Sequence, residues 1–171
     1  TGSKVFDMHK TGVKEIVNFA NLPAKNWTKV SYRVAPATVK ADLGPGVTEA
    51  DRELLVNANA SIYLDATATK GAVSKHYTWS FSTDTVYADC EAELDGKLTQ
   101  GAVVTNGGTD SIQLTIHGDH FYYDDLQATN AKVRFEAIAS ADKDNDGEIT
   151  LQELDNVSLV DIPASEGGFG V

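Results

Sequence analysis

One cysteine, one methionine and four prolines stand among 171 residues. The lone Cys90 excludes an internal disulfide and a cysteine-rich zinc site. It sits in YADCEAELDG, among acids that oppose a thiolate, and reads as a bystander rather than a nucleophile. The lone Met8 argues against the methionine-rich groove that paired calcium sensors expose. Basic charge is scarce, with 14 Lys+Arg against 25 Asp+Glu and a net charge of −11. A nucleic-acid partner needs a basic footprint, so none is expected. No apolar run approaches about eighteen residues, so no transmembrane helix is expected. G-x-S-x-G, P-loop and H-E-x-x-H patterns are all missing, and the chain reads as no enzyme. A hydrolase keeps only a thin footing. Asp65 and His76 could be two parts of a triad with no serine placed for them, and a glycosidase carboxylate pair cannot be read from spacing.

What is present is globular. Hydrophobic residues make up 42% and charged residues 23%, which excludes wholesale disorder and suits one domain with a real core. The middle of the chain alternates with period two. Ile62, Leu64, Ala66 and Ala68 share one face, and Tyr77, Trp79 and Phe81 continue it after Lys70-Gly71. That is a β-hairpin pattern. A two-residue loop at Lys70-Gly71 would oppose Leu64 to Tyr77 and Asp65 to His76. Further strands are expected at KVSYRVAP and DSIQLTIHG, with weaker candidates at VKEIVNF and GAVVT. A capping-box pattern, Thr48-x-x-Asp51, predicts a helix near 48–57, and AKVRFEAIASA predicts another at 131–141. Several short strands with few helices predict a mainly β fold, an antiparallel β-sandwich with a short C-terminal helix–calcium loop–helix. The expected division is a body at 1–130, the helical segment at 131–162 on the same domain, and a small flexible tail at 163–171.

The most specific stretch is DKDNDGEITLQE, residues 142–153. It resembles the EF-hand calcium loop at all twelve positions. A cation of calcium size takes six to eight oxygens at ~2.3–2.6 Å. Asp142, Asp144 and Asp146 supply carboxylates from positions one, three and five. Glu148 supplies its backbone carbonyl and Thr150 ligates directly or through water. Glu153 closes the shell with both carboxylate oxygens. Gly147 allows the sharp turn, and Ile149 pins the loop to a core. A cluster of aspartates is tolerable because a cation is expected among them. One loop without a second copy suits a structural staple rather than a sensor.

Four histidines remain: His9, His76, His117 and His120. HGDHFYYDD at 117–125 brings His117 and His120 near Asp119, Asp124 and Asp125, and His76 lies on the polar face of another strand. His76, His117 and His120 are therefore a candidate site for copper or zinc. On an unbroken strand, however, residues i and i+3 point to opposite faces. Through WSF, IHGDHFYYDDL and RFEAIASADKDNDGEITLQEL the chain also resembles secreted bacterial lipoprotein-type domains, including those similar to methanobactin-associated copper proteins. That group carries several cysteines where this chain has one.

The resulting expectation is a non-enzymatic calcium-binding β-sandwich outside the cytoplasm, secreted or periplasmic, with cell-surface anchoring as an option. Its role would be binding or assembly, with another protein or a second copy as partner. The alternative is a periplasmic copper- or zinc-binding protein built on the histidine cluster.

Overall fold

A computed structural model describes residues 2–158 apart from 110, 124 and 126. In chain order the strands are β1 (Lys4–Val5), β2 (Lys25–Trp27), β3 (Tyr32–Val34), β4 (Asp42–Leu43), β5 (Ile62–Lys70), β6 (Val73–Phe81), β7 (Thr85–Tyr87), β8 (Glu91–Leu94), β9 (Lys97–Gln100), β10 (Ala102–Val104) and β11 (Glu148–Ile149). The helices are α1 (Glu49–Asn57), α2 (Phe135–Ala139) and α3 (Leu151–Asp155), with a 3₁₀ turn at Gly118–Tyr122. The chain is mainly β, in small sheets of two or three strands. No helix among the described residues is long and apolar enough to cross a membrane.

Two compact units emerge: residues up to Ile62 with Ser80–Leu114, and Tyr63–Trp79 with the residues from Thr115 on. The arm of the hairpin at 63–79 belongs with the acidic stretch far along the chain, because the two are hydrogen-bonded to each other. The 163–171 tail lies outside the described residues, as do Asp124 and the end of the 131–162 segment.

In the first unit β1 runs parallel to β4, β2 pairs antiparallel with β10, and β3 pairs antiparallel with β7. Tyr32 stands opposite Tyr87, and their rings stack at 4.7 Å. Arg33 next to it makes two hydrogen bonds to Asp84, at 2.7 and 2.5 Å. The expected helix is α1. Thr48 caps it, its hydroxyl accepting from the Asp51 N–H while Asp51 accepts from the Thr48 N–H at 2.7 Å. β8 and β9 turn through Asp95-Gly96, both at positive φ, as a tight hairpin loop requires. Val5, Ala41 and Ala60 are the buried apolar residues of this unit.

The second unit is built on the β5–β6 hairpin. Its turn is Gly71-Ala72, one residue later than the expected Lys70-Gly71. Gly71 takes φ +61°, which suits glycine there. Moving a turn by one residue shifts opposing pairs by two, so each side chain keeps its face. Tyr77 and Trp79 are accordingly buried and Thr78 between them is exposed. Ile149, level with Tyr77 and hydrogen-bonded to Trp79, is buried with them, and Ala137 and Ala141 are the unit's other buried apolar residues among those described. Tyr122 joins this cluster, its hydroxyl 2.5 Å from that of Tyr77, and burial pushes its phenol well above the usual range.

Two strand expectations fail. Residues 111–117 of DSIQLTIHG and 13–19 of VKEIVNF form no strand. Ile112, Leu114 and Ile116 are exposed, the last at 64%, as are Val13, Ile16, Val17 and Phe19. Alternation alone does not make a strand; it needs a neighbouring backbone to complete its hydrogen bonds and an apolar surface to cover its face. GAVVT, the other weak candidate, has such a neighbour in β2 and forms β10.

Candidate metal centre

The acidic stretch folds into a tight loop between α2 and α3. Side chains of the loop satisfy its own backbone. Asp144 accepts from the Asp146 N–H at 3.2 Å, and Asp146 accepts from the Glu148 N–H at 2.7 Å. Asp142 accepts from the Gly147 N–H at 3.1 Å. Asn145 and Gly147 take φ +62° and +91°, left-handed positions that asparagine and glycine tolerate. At its end Thr150 caps α3 in a second capping box, accepting from the Glu153 N–H while its own N–H donates to Glu153 Oε2 at 2.8 Å.

This winding brings oxygens of Asp142, Asp144 and Asp146 within 4.8 Å of one another. A calcium ion holds its oxygens at ~2.3–2.6 Å, so small side-chain rotations bring the three onto one shell. The side chain of Asp142 is fully buried, with 0% exposure. Its Oδ2 meets the Gly147 N–H and the Lys75 ammonium, whereas its Oδ1 has no hydrogen-bond partner among the described residues. A buried carboxylate oxygen left bare is costly unless a further positive group completes it. The donor set is therefore all oxygen, anionic and short of one cation, which fits a calcium-type ion. Glu153 stands at the same loop. Its carboxylate is held below the usual range by the Thr150 N–H and hydroxyl, with a smaller contribution from the Lys143 N–H and opposition from Asp142.

The loop is anchored by β6. β11 runs parallel to it, Glu148 beside His76 and Ile149 beside Tyr77. The His76 N–H donates to the Gly147 carbonyl at 2.9 Å, and the buried Trp79 Nε1 donates to the Ile149 carbonyl at 2.8 Å. Ile149 is 1% exposed, the pin expected of it. Lys75 and His76 then grip the loop from adjacent positions of one strand. Lys75, pointing inward with Tyr77 and Trp79, pairs with Asp142. This pairing lowers the Asp142 carboxyl, aided by the Gly147 N–H. His76 places Nδ1 2.6 and 2.8 Å from the two Glu148 oxygens and Nε2 3.0 Å from Asp65 Oδ1. Both partners only accept when ionised, so the ring donates from both nitrogens as an imidazolium. Glu148, and secondarily Asp65, raise its pKa.

The predicted histidine set is thus split. His76 is engaged by Glu148 and Asp65, whereas His117 and His120 come together with Asp119 instead. Asp65 and His76 do meet, diagonally after the two-residue shift rather than directly opposed, with Glu148 as the third member of the group.

Two residues at the loop escaped sequence reasoning. Lys75 carries a legible signal: it is a charge in line with Tyr77 and Trp79 on the covered face of a strand, where a lysine requires a partner. The Trp79 Nε1 bond to the loop carries none, since any buried tryptophan seeks an acceptor. No family model matches the chain, and no curated protein or solved structure matches it.

Proposed function

We propose that this chain is a calcium-binding protein of the extracytoplasmic space, in which one EF-hand-type loop staples a helix–loop–helix to the edge of a β-hairpin. The observation that carries the reading is the fully buried Asp142 with a bare Oδ1, set among two further aspartates at calcium-shell spacing. Asp142, Asp144, Asp146 and Glu153 would hold the ion, with the Glu148 carbonyl and Thr150 completing the shell. The bound ion supplies positive charge and nothing else; no reaction is assigned to it. Four carboxylates around a dication leave a formal charge of −2, and Lys75 offsets one unit of that.

Pairing with β6 accounts for a loop that works singly. β11 lies on a strand edge and its core residue is covered by Tyr77 and Trp79, so no second loop is required. Extracellular calcium modules operate near 10⁻⁴–10⁻³ M, a range that suits a secreted or periplasmic staple. A β-sandwich body, with a binding or assembly role toward another protein or a second copy, belongs to the same proposal.

The deciding experiment is metal analysis of protein equilibrated with calcium and then passed through a desalting column. The expected content is about one calcium per chain, falling close to zero in Asp142→Asn. A calcium-replete preparation with no bound calcium would end the proposal.

A further inference from the structure

The one nitrogen-bearing cluster among the potential metal-binding groups of the described residues is His117, Asp119 and His120. Their local geometry removes the objection raised by spacing. The chain here is a 3₁₀ turn at Gly118–Tyr122 with His117 at its start, not a strand. In a 3₁₀ turn residues i and i+3 eclipse each other, so the two imidazoles fall on the same side. The His120 N–H donates to the His117 carbonyl at 3.2 Å, which closes the turn. The rings stack at 4.9 Å between centroids and 18° from parallel.

We propose that His117, Asp119 and His120 form a second metal site, specific for a divalent transition ion of the zinc–copper class. One ligand atom from each lies within 4.8 Å of the others. Ligands of a tetrahedral zinc ion, with bonds of ~2.0–2.1 Å, stand about 3.4 Å apart. The cluster must therefore contract by about 1.4 Å at most. His117 and Asp119 are exposed and His120 is half-buried, so side-chain rotation provides this without moving a packed core. Two imidazoles with one carboxylate suit zinc or copper and do not suit calcium or magnesium, which take oxygen. Asp119 is already oriented, since the Tyr123 hydroxyl donates to its carboxylate. Such a bond behind a ligand fixes its direction. His76 is not in this set, because both its nitrogens hold other carboxylates.

Three protein ligands leave a tetrahedral ion one open position, for water or for a donor from a partner. The site thus has the form of an acquiring or exchanging site rather than a closed structural one. It stands independently of the calcium loop, with which it shares no residue, and its two imidazoles set it apart from that all-oxygen set.

The test uses the full chain, saturated with calcium, titrated with Zn²⁺ against a chromogenic chelator. One zinc per chain is expected. His117→Ala and His120→Ala should each weaken binding by tenfold or more, and Asp119→Asn should do likewise. Tyr123→Phe should weaken it by about tenfold, the loss usual for a group behind a ligand. His9→Gln and Cys90→Ser should bind as the unaltered chain does. Circular dichroism and calcium content confirm that each variant is folded. Zinc affinity unchanged in the His117→Ala/His120→Ala double variant would overturn the proposal. An equal loss in His76→Gln would overturn this choice of ligands.

Discussion

His76 on β6 stands in parallel register with Glu148 on β11, and its Nδ1 lies 2.6 Å from a Glu148 oxygen. One backbone ladder and one ion pair thus join the same two residues.

This pair titrates. The His76 pKa is raised from 6.5 in the folded chain, first by Glu148 and then by Asp65. Its contribution to stability is therefore fully present below about pH 6.5 and is lost as pH rises through the higher folded value. Unfolding free energies of the unaltered chain and His76→Gln, measured in denaturant across pH 5–9, should differ most at the acid end and converge toward the alkaline end. A difference that grows with pH would contradict the ion pair.

Calcium removal should lower the thermal midpoint. At a hundredfold excess over Kd, binding contributes about 2.7 kcal/mol. At roughly 2–4 °C per kcal/mol for a chain of this size, a chelator should lower the midpoint by about 5–10 °C, and added calcium should restore it. An unchanged midpoint would leave the loop without a stapling role.

Lys75 should matter most when calcium is absent. Its ammonium is the cation nearest the buried Asp142, on the oxygen opposite the bare one. Lys75→Met leaves that carboxylate dependent on calcium alone. The gap between chelated and calcium-loaded midpoints should widen beyond that of the unaltered chain, and calcium should bind more tightly. A gap that narrows would mean Lys75 supports the loaded form instead.

Gly147 carries the turn of the loop at φ +91°, and a Cβ there would meet nothing within 4 Å. The cost of Gly147→Ala is therefore backbone strain alone, of order 1–2 kcal/mol. Calcium affinity should fall by about five- to thirtyfold in a calorimetric titration, with no loss of the hairpin's circular dichroism. Full affinity in this variant would show that the loop can turn another way.

Much of the second unit was legible along the chain, because its signals are local. DKDNDGEITLQE specifies its own loop: each aspartate bonds a backbone N–H a few residues on, and glycine stands where φ is positive. Thr48-x-x-Asp51 and Thr150-x-x-Glu153 start their helices by the same short-range logic. The alternation of 62–81 gave the hairpin its faces, though not its turn, since Lys70-Gly71 and Gly71-Ala72 bury the same residues.

What spacing could not decide were the partners. Nothing near β6 announces that its edge accepts residues some seventy positions later, or that Lys75 and His76 meet Asp142 and Glu148 there. Nor does DSIQLTIHG disclose that its 111–117 stretch pairs with no strand among the described residues and that Ile112, Leu114 and Ile116 are exposed, or that the next residues wind into the turn that stacks His117 on His120. Side-chain type and spacing determine what a segment can become, through bonds that close within a few residues. Which strand edge, which charge and which apolar face complete it depends on chain brought near by packing, and only the tertiary structure decides that.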